Sequence, residues 1–223
     1  MDVARFRSTK AYDVLTALPL VLWYLITVWR QLPFLVGGAD VLAQGDTGRL
    51  LQYLSVAAAV VFYFAVIVAL LVRRVPVARL DGVLPRAVAL IGTFMSVTIL
   101  WLPAATLPLG VQLLANALIV VGCAGSALIV WALGRNFSVF PEARGLMTAG
   151  PYAYARHPLY TAESLIVIGT AIQFAQPWAG VLGAANLGFV YWRTVYEEQV
   201  LARAHPEYAD YRARTARFIP GVF

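Results

Sequence analysis

Long uncharged stretches alternate with short polar ones along this chain. Leu50–Val72, Ala87–Gly134 and Ser164–Trp192 contain no charged residue. A helix needs about 20 apolar residues to cross a bilayer, so stretches of this length predict transmembrane helices. A first span is expected over 12–30, with Pro19 as a kink position, and a second over 50–72. The uncharged stretch 87–134 is too long for one span and fits two. Pro103 and Pro108 bracket the turn, because proline breaks or kinks helices, which gives spans near 84–102 and 108–133. Gln173, Gln176 and Pro177 interrupt the last stretch, so a hairpin of two short helices is expected near 158–175 and 178–196. The pattern predicts an all-α, polytopic integral membrane bundle of about six spans, the last two forming a helical hairpin.

Composition agrees with this pattern. The chain is 61% hydrophobic and 13% charged, with a mean hydropathy of +0.75. Soluble domains are about half apolar and a quarter charged. The basic residues form no single long run, so no nucleic-acid partner is expected. The lone Cys123 excludes an internal disulfide and a cysteine metal cluster, and no metal site is expected. Its distance from the C-terminus also excludes prenylation of this chain. Val14–Trp29, preceded by Arg5, Arg7 and Lys10, has the outline of a signal peptide. Further spans follow it without a small-x-small cleavage site, so it reads as the first span.

Charge placement predicts orientation. With the N-terminus inside, the inner segments hold Arg5, Arg7, Lys10, Arg73, Arg74, Arg79, Arg86, Arg135, Arg144, Arg156, Arg193, Arg203, Arg212, Arg214 and Arg217. Only Arg30 and Arg49 of the 17 Lys and Arg residues fall outside. The positive-inside rule then puts both termini, and the polar loop 134–157, on the cytoplasmic side. A loop of that length is long for a compact bundle and points to function.

Within it, Gly150-Pro-Tyr-Ala-Tyr-Ala-Arg156-His157-Pro158-Leu-Tyr160 concentrates the chemistry. Pro158 suits the first turn of a helix, with His157 held extended at its mouth. Free N–H groups at a helix start favour an anion, and Arg156 adds a full charge. Tyr152, Tyr154 and Tyr160 alone would fit an ordinary aromatic belt. Arg193 and Glu197 are four apart and share a helix face, while Glu198 points elsewhere. Glu163 is an ionisable group inside a span, which marks it as a functional candidate unless it reaches water. The basic, aromatic tail from Pro206 to Pro220 has two placements open: along the interface or folded back over the site. Ser138 has no evident base beside it, and His205 before Pro206 reads as structural.

The ordered string Gly150–Tyr160, Glu197-Glu198, Glu207-Tyr-x-x-Tyr211 and Phe218-Ile-Pro-Gly-Val resembles the isoprenylcysteine carboxyl methyltransferase family. That family belongs to a broader group with the phospholipid N-methyltransferases. The resemblance covers about 130–223; residues 1–129 match only as generic spans. It implies S-adenosyl-L-methionine as cofactor and a lipophilic small-molecule or prenylated substrate reached from the lipid bilayer. It implies a cofactor site of Arg144, Gly145, Leu146, Met147, Tyr152, His157, Pro158, Leu159, Tyr160 and Glu197. It also implies that Arg193 holds an acceptor carboxylate, while Glu163 or Glu198 would deprotonate an amine. The chain then divides into a four-span bundle, 1–133, and a methyltransferase core, 134–223, of cofactor loop, hairpin and tail. Ala162 replaces a glycine common in the family, and Glu163 replaces an aromatic. Two rival readings are an NADPH-dependent enzyme like the sterol reductases and a non-catalytic lipid-binding membrane protein.

Overall fold

The computed structural model describes residues 9–38, 45–103 and 106–221. Arg5, Arg7, Asp40 and the closing Val222 lie outside the described residues. Helix α1 spans Lys10–Val36 and α2 spans Thr47–Val72. Helix α3, Val83–Phe94, tightens into a 3-10 helix over Met95–Trp101. Helix α4 spans Leu109–Leu133, α5 Pro158–Phe174, α6 Pro177–Ala204 and α7 Tyr208–Arg214. Among the described residues, four segments are long and apolar enough to cross a membrane: Lys10–Val36, Thr47–Val72, Val83–Trp101 and Leu109–Asn136. The expected hairpin is α5 and α6, turned at Ala175 with a left-handed φ of 45°.

Local chemistry explains the helix starts. Thr9 Oγ1 accepts from Tyr12 N at 3.2 Å, and Asp46 Oδ1 accepts from Gly48 N at 2.9 Å. Pro158 and Pro177 open α5 and α6, where a missing N–H costs nothing. Three features depart from the sequence pattern. Helix α1 runs six residues past Arg30, because Arg30 points outward from a continuing apolar face. Helix α6 runs past residue 196 to Ala204, carrying both glutamates on a helical extension. A two-stranded antiparallel ladder, β1 (Ala78–Arg79) with β2 (Glu142–Ala143), ties the α2–α3 connection to the polar loop.

Helix α4 is the centre, packed against α2 on one side and α5 on the other. Between helices in lipid, close packing rather than water exclusion drives association, and small residues permit it. A Cβ at Gly122 would lie 2.8 Å from the Ala162 carbonyl, and one at Gly169 would lie 2.7 Å from the Ala115 carbonyl. The two glycines therefore bring α4 and α5 into backbone contact. Leu20, Val66, Leu70, Ile119, Val130, Phe137 and Leu159 fill the core from α1 through α5. Trp29, Val61, Phe64, Leu128 and Trp131 face outward. At one end of the bundle, Asn116 Oδ1 accepts from Ser55 Oγ and from Gln173 Nε2, each at 3.0 Å. That junction satisfies polar groups which hydrocarbon would leave unpaired.

Candidate functional site

At the other end, the loop 134–157 does not hang free. Its backbone joins the tail: Arg156 N donates to the Ala216 carbonyl at 2.8 Å and His157 N to the Arg217 carbonyl at 2.9 Å. Tyr211 Oη donates to the Tyr152 carbonyl at 2.6 Å. Of the two placements open to the tail, the structure shows the fold back over the His-Pro segment.

This fold encloses a cavity of about 720 Å³, counting its open mouth. Arg144, Gly145, Leu146, Met147, Tyr152, His157, Leu159, Tyr160 and Glu197 all line it. Pro158 does not; it opens α5. Gly145 is dictated by space, since a Cβ there would stand 2.6 Å from Asn136 Oδ1.

Two carboxylates with different roles follow each other on α6. Glu197 is on the cavity wall, where Tyr160 Oη donates to its Oε1 at 2.5 Å. His157 Nδ1 stands 3.6 Å from Glu197 Oε2, and its ring stacks on Tyr160 with centroids 5.7 Å apart. Glu198 does not line the cavity. Its Oε1 accepts from Arg156 Nε at 2.9 Å and lies 3.2 Å from His157 Nε2, and its Oε2 accepts from Arg217 Nη2 at 2.9 Å. Burial opposes its charge, but hydrogen bonds from His157, Arg217 and Arg156 outweigh that and hold the carboxyl well below its usual range. The structure thus places Glu198 as the clasp that fastens the tail, apart from the cavity.

Arg193 is buried behind the cavity, in a narrow cleft with Pro85, Ala89, Val139, Pro141, Tyr196 and Glu197. Glu197 therefore borders both spaces. The Arg193 guanidinium lies 4.7 Å from the Tyr160 ring centroid, and its Nη2 donates to the Val139 carbonyl at 3.3 Å. Its Nε has no hydrogen-bond partner. The sequence spacing suggested an Arg193–Glu197 pair; Glu197 instead accepts from Tyr160. Glu163, half-buried on α5, is within electrostatic reach of Arg193, Glu197 and Tyr24 of α1.

Sequence reasoning missed several residues. Asn136, Tyr208 and Tyr211 line the cavity. Burial pushes the Tyr211 phenol up to about 12 and raises that of Tyr208, so both remain donors at neutral pH. Asp13, fully buried, bonds Arg73 and Arg144; an acidic residue near the start of the first apolar helix was the signal for it. Ser138 does have a carboxylate neighbour: it donates to Glu142 Oε2 at 3.1 Å, an oxygen that Arg144 also holds at 2.6 Å. The partner was invisible because Glu142 reaches back from the following strand. His205 caps the end of α6, 3.4 Å from Glu207, in keeping with a structural role.

The wall also carries polar atoms with nothing to bond. Asn136 Oδ1, Tyr208 Oη, and Arg144 Nε and Nη1 are buried without hydrogen-bond partners, and all three residues line the cavity. Buried polar groups are almost always satisfied, so orphans grouped in one cavity call for a ligand. An acceptor, a hydroxyl and a guanidinium, on the same wall as the Glu197 carboxylate, suit a polar ligand that carries both signs of charge. Among the described residues, no three or more His, Cys, Asp and Glu side chains gather as a metal site.

A family model for phospholipid methyltransferases matches residues 111–207, from the start of α4 to the end of α6. The match begins earlier than the resemblance near residue 130. The nickel-cobalt-cadmium resistance protein NccN of Alcaligenes xylosoxydans is 30% identical over 121 residues, 54% of this chain and 52% of that protein. The cobalt-zinc-cadmium resistance protein CzcN of Cupriavidus metallidurans is 34% identical over 76 residues, 34% of this chain and 35% of that protein. The mouse protein-S-isoprenylcysteine O-methyltransferase is 30% identical over 101 residues, 42% of this chain and 35% of that enzyme. The chain thus spans about a third to a half of the length of these relatives.

Proposed function

We propose that this chain, a member of the membrane methyltransferase group that includes the phospholipid and isoprenylcysteine enzymes, performs S-adenosylmethionine-dependent methyl transfer to a lipophilic acceptor. The observation that carries this reading is the cavity wall, where Asn136, Arg144 and Tyr208 leave polar atoms unpartnered around Glu197. When bound, S-adenosylmethionine supplies a methyl group on a sulfonium, ready for in-line displacement.

The residues divide the work. Arg144 would hold the cofactor's carboxylate, and Glu197 the positive charge of its ammonium or sulfonium end. Tyr160 and His157 fix the Glu197 carboxylate, so its orientation is set before binding. Asn136 and Tyr208 would serve the adenosine. The acceptor would enter from the bilayer toward the Arg193 cleft, beyond Glu197. For a carboxylate acceptor, Arg193 aligns the attacking oxygen, and its free Nε is the donor available to do so. For an amine, Glu163 takes the proton from nitrogen as the new bond forms. Positioning two bound reactants supplies much of the rate in either case. Glu198 holds the tail closed over this site in place of proton transfer. The positive-inside count supports a cytoplasmic mouth, where a polar cofactor is available.

The test is methyl transfer itself. Purified protein, labelled S-adenosylmethionine and a membrane lipid extract should yield label in the organic phase. A Glu197→Gln variant should yield far less. Label no higher than in a heat-inactivated control would contradict the proposal.

A further inference from the structure

The cavity's Arg144 is held from the opposite end of the sequence. Its Nη2 donates to Asp13 Oδ1 at 2.9 Å and to Glu142 Oε2 at 2.6 Å. Asp13 sits in the first turn of α1, and its other oxygen accepts from Arg73 Nε at 2.9 Å. Arg73 also donates through Nη2 to the Asp13 carbonyl at 3.0 Å. Lys10 Nζ lies 3.8 Å from Asp13 Oδ2, and Arg79 Nε lies 3.2 Å from Glu142 Oε1. Four cations thus face two carboxylates, an excess of two positive charges; Arg73, Arg144 and Asp13 are closed to solvent, while Lys10 and Arg79 reach it.

The excess meets the cavity at Arg144. Its side chain is closed to solvent, yet Nε and Nη1 have no partner. One nitrogen is committed to Asp13 and Glu142; the other two are left for something else. Asp13 and Arg73 lie outside the family-matched residues 111–207, so this anchor is contributed by the N-terminal helices.

We propose that Asp13 is a positioning residue for the cavity. It fixes Arg144 through Nη2, so that the rest of the guanidinium faces the carboxylate at the amino-acid end of the cofactor. That anion neutralises part of the network's excess charge. The inference rests on the S-adenosylmethionine reading of the cavity. A site gains affinity when its first contacts are held by a rigid second layer of bonds, and α1 supplies that layer here.

Two ligands separate positioning from plain stability. S-Adenosylhomocysteine has the amino-acid carboxylate; 5′-methylthioadenosine keeps the adenosine and sulfur but lacks it. Binding of both is measured by calorimetry to detergent-purified wild type and to Asp13→Asn. Asp13→Asn should weaken S-adenosylhomocysteine at least tenfold and change 5′-methylthioadenosine less than threefold. Equal weakening of both ligands, or of neither, would overturn the inference alone. Should Asp13→Asn not fold, Asp13→Glu keeps the charge but displaces it by one methylene. It should lose part of the same preference, and wild-type preference in that variant would overturn the inference. Wild type that binds neither ligand would overturn the cofactor reading, and this inference with it.

Discussion

Tyr160 and Glu197, 37 positions apart, meet in a 2.5 Å hydrogen bond that joins the start of α5 to the end of α6. The phenol is the donor, and Glu197 keeps its second oxygen toward His157. The bond is charge-assisted, a class worth about 1.5–3 kcal/mol. It fixes the carboxylate that borders both the cofactor cavity and the Arg193 cleft.

Tyr160→Phe should therefore weaken S-adenosylhomocysteine binding by about 10- to 100-fold, following from that bond strength. The ring would remain under Arg193, but the lost bond should also lower stability by about 1.5–3 kcal/mol. Titration calorimetry and a melting curve, taken on the same preparation, check both halves.

Arg193→Ala should lower kcat/KM for the acceptor by about 100- to 1,000-fold, the scale of losing a directed donor in an enclosed site. Affinity for S-adenosylhomocysteine should change less than threefold, because Arg193 is absent from the cofactor cavity wall. Arg193→Lys should not restore activity, since an ammonium cannot match the planar fork over Tyr160. Steady-state kinetics with full activity retained in either variant would remove the proposed clamp.

Glu198 makes a stability prediction with a definite sign. Its folded-state pKa is depressed, so its contribution is complete above the unfolded value of about 4.3 and fades as pH falls toward the folded value. Glu198→Gln should cost about 3–5 kcal/mol near pH 7, because Arg156, His157 and Arg217 lose their shared partner. The difference from wild type should shrink as pH falls below about 4, where the unfolded carboxylate takes up a proton before the folded one does. Melting curves across pH check this, and a constant difference down to pH 2 would contradict the clasp.

Gly122→Ala should destabilise the bundle by about 1–3 kcal/mol through overpacking against the Ala162 carbonyl. Because α5 carries His157 and Tyr160 at its start, cofactor affinity should fall as well. Gly188, whose added Cβ would meet nothing within 4 Å, is the control: Gly188→Ala should be neutral or slightly stabilising. Comparing the two melting points decides it.

The first four spans and the helical character of the hairpin were legible because uncharged length is a strong signal. Pro158 marked a helix start correctly, and Pro177, read only as an interruption of the last stretch, opens α6 for the same local reason. The cavity's near wall was legible through the Gly150–Tyr160 string. Its far wall was not, because Asn136 is an isolated polar residue whose meaning depends on which elements touch, as is Asp13 behind Arg144. The two adjacent glutamates show the limit most clearly. A rotation of about 100° per residue predicted that they diverge, but not that Glu198 would meet Arg156, His157 and Arg217. The pairing of β1 with β2, a ladder of two residues per strand, is too short for any periodicity to reveal.

The central claim is that the cavity under the folded-back tail is an S-adenosylmethionine site. Equilibrium binding to the detergent-purified chain tests it most directly. The account predicts saturable one-to-one binding of S-adenosylhomocysteine, weakened by Tyr160→Phe and not displaced by NADPH. No binding of S-adenosylhomocysteine, or its displacement by NADPH, would contradict it.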